Sequence, residues 1–324
     1  MAQATGKETR FITARHGHGA EVTIPIGLVR GRRDGPTATF VAGVHGAEYP
    51  GMEAVRRVFR ALDPEQLSGT VRVVFIANLP AFHARSEAIT PVDGKNLNRV
   101  FPGKARGGTY SEFLAHVLFE QVVLGSDLLV DMHGGDIFEA LAPYMGVRQV
   151  GTEKVRAETR RLAEAYGVEF ILTTTTLPGQ GAVGLPLTGA AMDAGIPAVL
   201  SEAGGEGILE EQFTRVHERG VLNVLKEWKM LPGQPEIPVK PRYLYSYFWP
   251  ARATGVFYPL VKYGDWVKAG QKVGEIWDYF GTTLLEEVRA PYDAVIIAVV
   301  TCPATHEGAI VLQVGTEREV PAAS

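Results

Sequence analysis

A single cysteine, Cys302, stands in 324 residues. No internal disulfide can form, and thiolates alone cannot hold a metal, a usage that fits a reducing cytoplasm. Between Thr301 and Pro303 it reads as a small buried hydrophobe rather than a reactive thiol. Basic charge is also short. Lys and Arg number 32 against 36 Asp and Glu, a formal net charge of −4, so there is no surplus to neutralise phosphates and nucleic acid is excluded as the main partner. No apolar stretch approaches the roughly 18 residues of a membrane span, and Met1 to Glu8 contain no apolar core of signal-peptide length. The expectation is an unexported cytoplasmic protein with no membrane partner. What is present, 46% hydrophobic residues with 37 glycines and 20 prolines, is globular composition. The length is about twice that of a typical domain.

From Thr37 to about Trp228, short apolar runs alternate with segments of helical period. The runs are Thr37 to Gly43, Val71 to Ala77, Asp127 to Asp131, Val168 to Leu172 and Pro197 to Leu200. Continuous runs of this kind indicate strands covered on both faces. Between them, Met52, Val55, Val58, Phe59 and Leu62 fall at helical spacing, as do Phe113, Leu114, Val117 and Leu118 behind a Thr109-x-x-Glu112 capping box. Leu209, Phe213, Val216, Leu225 and Trp228 mark a further helix. The pattern predicts an α/β fold with helices on both faces of the sheet. After Trp228 the texture changes: Pro232, Pro235, Pro238 and Pro241 form a linker, and glycine-punctuated β-like segments follow. We divide the chain at this point into residues 1–235 and a small all-β domain, residues 236–324.

Chemistry concentrates where the buried runs end. His45-Gly46-Ala47-Glu48 follows the first run, and His133 follows the third in Asp131-Met132-His133-Gly134-Gly135-Asp136. Alone, His-x-x-Glu is poor evidence, because with 8 His and 36 acidic residues about one such pair arises by chance. The chain carries a second copy, His18-Gly19-Ala20-Glu21, which has no strand before it and reads as a decoy. His45, Glu48 and His133 instead share the strand-end edge where open α/β sheets bind ligands. Two imidazoles and a carboxylate are the ligand set of a catalytic zinc with its fourth position open to water. Asp131 suits either a carboxylate behind an imidazole or a helix cap. Glu202 directly follows the run Pro197 to Leu200 in Leu200-Ser201-Glu202-Ala203-Gly204-Gly205-Glu206. A carboxylate there can take a proton from water and pass it to a leaving amine; Glu206, farther into the loop, is the weaker candidate. Asn98-Arg99 offers a guanidinium fork and an amide for a substrate carboxylate.

Two patterns carry nothing. Gly179-x-Gly181-x-x-Gly184 fits a dinucleotide fingerprint, but Pro186 interrupts the helix that should follow, so an active-site loop is the better reading. No G-x-S-x-G elbow or Walker loop occurs.

The ordered set His45-x-x-Glu48, Asn98-Arg99, His133 and Ser201-Glu202 resembles the zinc carboxypeptidase-like family of succinylglutamate desuccinylases and aspartoacylases, over about residues 37–230. The resemblance implies a mixed, mostly parallel sheet and one Zn²⁺ per chain held by His45, Glu48 and His133. It also implies Glu202 as general base, and Asn98 and Arg99 on the carboxylate of an N-acyl amino acid whose amide is hydrolysed. Members commonly carry another arginine shortly before Asn-Arg. Here Ala88 takes that position, and Arg85 is the nearby substitute, which counts against a dicarboxylic substrate such as N-acetylaspartate. The wording Thr90 to Gly103 is similar to the bacterial branch that includes N-acetyl-2,4-diaminobutyrate deacetylases, a pointer to monoacidic N-acyl amino acids.

Val261 to Gly274 followed by Val288 to Val295 resembles the barrel-sandwich domain of biotinyl and lipoyl carriers. The hairpin that would present the modified lysine, Tyr279 to Glu287, contains none, so no covalent cofactor is expected. A wall of the active site, or a contact in a homo-oligomer, is the expected use. The combined expectation is a zinc amidohydrolase acting on a small N-acyl amino acid or amide. The alternatives are a zinc carboxypeptidase acting on short peptides, and a non-catalytic zinc or amino-acid binding protein.

Overall fold

The computed structural model describes residues 5–15, 17, 19, 21–173 and 185–320. His18 and the glycine pattern at 179–184 lie outside these residues. The first part of the chain comprises β1 (Gly6–Arg15), β2 (Glu21–Arg30), β3 (Arg33–Ala42), α1 (Tyr49–Ala61), β4 (Ser68–Val74), α2 (Leu79–Ala84), β5 (Ile89–Thr90), β6 (Lys95–Asn96) and α3 (Tyr110–Leu118). There follow β7 (Leu128–His133), β8 (Glu139–Leu141), β9 (Tyr144–Val147), α4 (Glu153–Tyr166), β10 (Phe170–Thr173), α5 (Leu187–Asp193), β11 (Ala198–Glu202) and α6 (Glu211–Glu227). After the proline-spaced stretch come β12 (Arg242–Pro250), β13 (Gly255–Pro259), β14 (Trp266–Val267), β15 (Lys272–Trp277), β16 (Leu284–Arg289), β17 (Ala294–Val300), β18 (Ala304–Thr305) and β19 (Ile310–Thr316).

The expected mixed α/β architecture is found. The central order is β1-β2-β4-β3-β7-β11-β9-β10, with β4, β3, β7 and β11 parallel and β9 running against β11. The apolar runs explain the layering, because successive strand residues point to opposite faces. Phe40 and Val130 pack with Met52, Val55 and Val58 of α1 and with Val221 and Val224 of α6. Their neighbours Val41 and Leu129 pack on the other face with Phe113, Leu114 and Val117 of α3 and with Leu187 of α5. The capping box forms: the Thr109 N–H donates to the Glu112 carboxylate at 2.8 Å. Leu209, read as helical, is exposed and lies outside α6, which begins at Glu211.

The sheet continues through the C-terminal part. β10 pairs in parallel with β12, and β19, β17 and β14 extend the order, while β8 pairs with β17. β16, β15, β13 and β18 form a second sheet. Trp249, Phe257, Ile276 and Leu312 build a core of their own, but Tyr144, Phe170, Leu244 and Ile297 form one shared by both parts of the chain. The hairpin between β15 and β16 exposes Tyr279 and Phe280. Among the described residues no helix is long and apolar enough to cross a membrane.

Candidate metal centre

Strand register assembles the centre. β3, β7 and β11 run the same way, with Ala42 opposite Met132 and Glu202 opposite His133, so their carboxyl ends reach one edge of the sheet. His45 lies three residues past β3, and Glu48 occupies the N-cap position of α1 without a capping hydrogen bond. Gly46 is required between them, since a Cβ there would overlap the carbonyl oxygen of Ala81. Buried Asn78 fixes the neighbouring chain: its amide donates to Thr90 Oγ1 at 2.9 Å and to the Val44 carbonyl at 3.3 Å.

His45, Glu48 and His133 place one ligand atom each within 4.8 Å of one another. Glu48 bridges the two rings, Oε1 lying 2.6 Å from His45 Nδ1 and Oε2 2.8 Å from His133 Nδ1. The far nitrogens have their own partners. His45 Nε2 donates to Asn96 Oδ1 at 3.2 Å, and His133 Nε2 lies 3.1 Å from Asp131 Oδ2 and 3.4 Å from the Asn98 amide nitrogen. Both Nδ1 atoms face the Glu48 carboxylate, and a ring whose proton sits at Nε2 has its Nδ1 lone pair free for a metal, the arrangement a ligating histidine needs. Burial raises the Glu48 carboxyl, but the imidazoles of His45 and His133 outweigh it and hold it at about 2. Burial lowers the His133 imidazole, but Asp131 and Glu48 prevail and raise it.

Glu202 ends β11 beside His133. Its Oε2 is shut from solvent without a hydrogen-bond partner among the described residues, as are both Asp131 oxygens. Burial, then the Glu48 carboxylate, push Glu202 well above the usual carboxyl range. Asn98 is buried in a 3-10 turn, Leu97–Arg99, and its Oδ1 accepts the Leu187 N–H of α5 at 2.9 Å. Arg99 is half-buried, donates from Nη1 to the Asn98 carbonyl at 2.8 Å, and feels the charge of Glu202. Arg85 sits at the C-cap of α2 with φ 52°, exposed, and makes no side-chain contact with these groups among the described residues. Glu206 also has positive φ, 58°, and is exposed.

Three features escaped the sequence reading. Asp136 is buried, and burial followed by Glu48 and Glu87 pushes it up to about 8. Arg148, half-buried just past the short strand β9, lies near enough to Arg99 for the two charges to repel. His217 is buried behind the centre. Its Nε2 donates to the His133 carbonyl at 3.1 Å, and its Nδ1 accepts from the Tyr166 hydroxyl at 2.8 Å. Helical spacing could have found His217, because Phe213, Val221 and Val224 share its face of α6.

A strand-end His-Glu-His cluster with the half-buried carboxylate of Glu202 beside it, on a mixed sheet with helices on both faces, defines an α/β protein with a donor set of the kind that takes a metal ion. The particular family follows from comparison. Residues 34–228 match the Succinylglutamate desuccinylase/Aspartoacylase catalytic domain, and the chain belongs to that family. It is 29% identical over 284 residues to the N-alpha-acetyl-L-2,4-diaminobutyric acid deacetylase of Halomonas elongata, covering 86% of this chain and 81% of that one. It is 33% identical over 182 residues to the succinylglutamate desuccinylase of Pseudomonas paraeruginosa, about half of either chain (52% and 51%). The crystal structure of a succinylglutamate desuccinylase/aspartoacylase from Rhodobacter sphaeroides superposes with a TM-score of 0.87 at 28% identity, over 98% of this chain and 97% of that one. Deacetylation and desuccinylation are the activities for which these relatives are named.

Proposed function

We propose that this protein is a zinc-dependent deacylase that hydrolyses the amide bond of a monoacidic N-acyl amino acid or related small amide. The observation that carries the reading is the convergence of the His45, Glu48 and His133 donors within 4.8 Å, with the unpartnered Glu202 oxygen on the adjoining strand end. The donor set fits zinc: two imidazole nitrogens and one carboxylate leave a coordination position open, Asn96 accepts from His45 Nε2, and the Asp131 carboxylate lies 3.1 Å behind His133 Nε2. Zinc held by these three residues supplies a Lewis acid for the acyl carbonyl and lowers the pKa of water. Glu202 takes the proton of the attacking water and delivers it to the departing amine nitrogen, so one carboxyl serves as base and then as acid. Its raised affinity for a proton belongs to a cluster of carboxyls, and a dication held among them inverts that potential. Arg99 and Asn98 orient the substrate through its carboxylate. Burial, then the charges of Glu48, Glu87 and Glu139, keep Asp136 protonated, and those charges make this side of the centre negative, which disfavours a second acidic group on the substrate.

The test is amine release from a panel of N-acyl amino acids, with short peptides and N-acetyl-2,4-diaminobutyrate included. The wild type releases the amine of monoacidic N-acyl amino acids. Glu202→Gln keeps its zinc and loses turnover by about 10³-fold or more, given that the residue serves as both base and acid. A Gln variant as fast as the parent removes Glu202 from the reaction, and release of C-terminal residues from peptides alone favours a carboxypeptidase.

A further inference from the structure

Two half-buried arginines, Arg99 and Arg148, lie beside the start of α5. The first N–H of α5, at Leu187, is held by Asn98 Oδ1 at 2.9 Å, and Leu185 pairs through its backbone with Phe101, so the Asn98-Arg99 turn is tied to the start of this helix. Just past β9, the Arg148 side chain reaches the same helix: its Cδ lies 3.8 Å from where a Cβ on Gly189 would be. Arg148 makes no hydrogen bond or ion pair with any described residue. Among the described residues Arg99 donates to a backbone carbonyl alone. Burial, and then the charge of Arg99, make the Arg148 cation harder to keep, and among the described residues no carboxylate pairs with Arg148. Two like charges so placed have an electrostatic cost in the absence of a bound anion.

We propose that Arg148 is a substrate-binding residue that, with Arg99, cradles the single carboxylate of the N-acyl amino acid, in the place left open by Ala88. This rests on the deacylase reading above. A carboxylate offers about four lone-pair positions on two oxygens, enough for two guanidinium forks. Arg99 also feels the charge of Glu202, so a carboxylate between the arginines leaves its amide on the Glu202 side. Arg148 supplies the second cation that Arg85, exposed at the end of α2, does not bring to the centre.

The experiment compares the best monoacidic N-acetyl amino acid of the panel with its methyl ester, on zinc-loaded wild type, Arg148→Met and Arg148→Lys. It adds calorimetric binding of the acid to Glu202→Gln with and without Arg148→Met. The preference for acid over ester in kcat/KM is expected to fall about 10- to 100-fold in Arg148→Met, and the Kd of the acid to rise by a similar factor. Lys recovers part of the loss, being a charge without the fork. The zinc content stays the same, and the unfolding temperature does not fall, because no contact of the fold is lost. An unchanged preference and Kd in an active enzyme overturn the inference alone. An equal loss on acid and ester with a lower unfolding temperature assigns Arg148 a structural role and also overturns it. A wild type inert on every N-acyl amino acid overturns the deacylase reading, and Arg148-dependent binding of the acid in that case still upholds the carboxylate site.

Discussion

His217 should govern both the stability of the centre and its response to acid. The ring is fully buried on α6, between Tyr166 of α4 and the ends of β7 and β11. Its Nε2 faces two carbonyl oxygens, those of His133 at 3.1 Å and Ala203 at 3.4 Å, so that nitrogen carries the proton. Nδ1 then accepts from Tyr166, with the Ser201 hydroxyl at 3.4 Å. His217→Ala leaves the Tyr166 hydroxyl and a carbonyl unpaired, at about 1–3 kcal/mol each, and opens a cavity the size of the ring; together these cost on the order of 4 kcal/mol. Burial holds the imidazole neutral, with its pKa lowered to about 4 from 6.5. The folded state therefore binds fewer protons than the unfolded chain. The stabilisation is complete above pH 6.5 and is lost as the pH falls towards 4, about 3 kcal/mol in all. Urea unfolding followed by circular dichroism at pH 7.5 and along a series down to pH 4 measures both effects. A loss below 1 kcal/mol in His217→Ala, or a wild-type acid response between pH 6.5 and 4 identical to that of the variant, would refute the reasoning.

Gly205 touches the backbone of β8 so closely that a Cβ would overlap the Glu139 carbonyl oxygen, which accepts the Glu206 N–H at 3.0 Å. Gly205→Ala is expected to destabilise by about 1–3 kcal/mol and to lower kcat/KM, read by thermal unfolding and amine release. Asp131→Ala removes the carboxylate behind His133 and should weaken zinc binding about 10- to 100-fold in a chelator competition; Glu48→Ala, which deletes a donor, should weaken it further.

The sheet and its two helical layers were legible because buried parallel strands leave continuous apolar runs, as Phe40-Val41-Ala42 and Leu128-Leu129-Val130 do. The strand-end position of His45, His133 and Glu202 followed from the same runs. The short strands β8 and β9 and the hairpin of β1 with β2 were not legible: four residues such as Tyr144 to Val147 carry no period of their own, and tertiary pairing decides them. Arg148 was missed with β9, because its meaning lies in its distance from Arg99, a neighbour 49 positions earlier in the chain. The division we drew between residues 235 and 236 rests on a change of texture, whereas the β10–β12 pairing that runs the sheet past it depends on contacts that local composition does not encode.

The central claim, that His45, Glu48 and His133 hold a zinc ion on which amide hydrolysis depends, is tested by titrating zinc into metal-stripped protein and following amine release. The account predicts release that rises in proportion to bound zinc and stops rising at one ion per chain. Full activity without metal, or stoichiometric zinc with no release from any N-acyl amino acid, would contradict it.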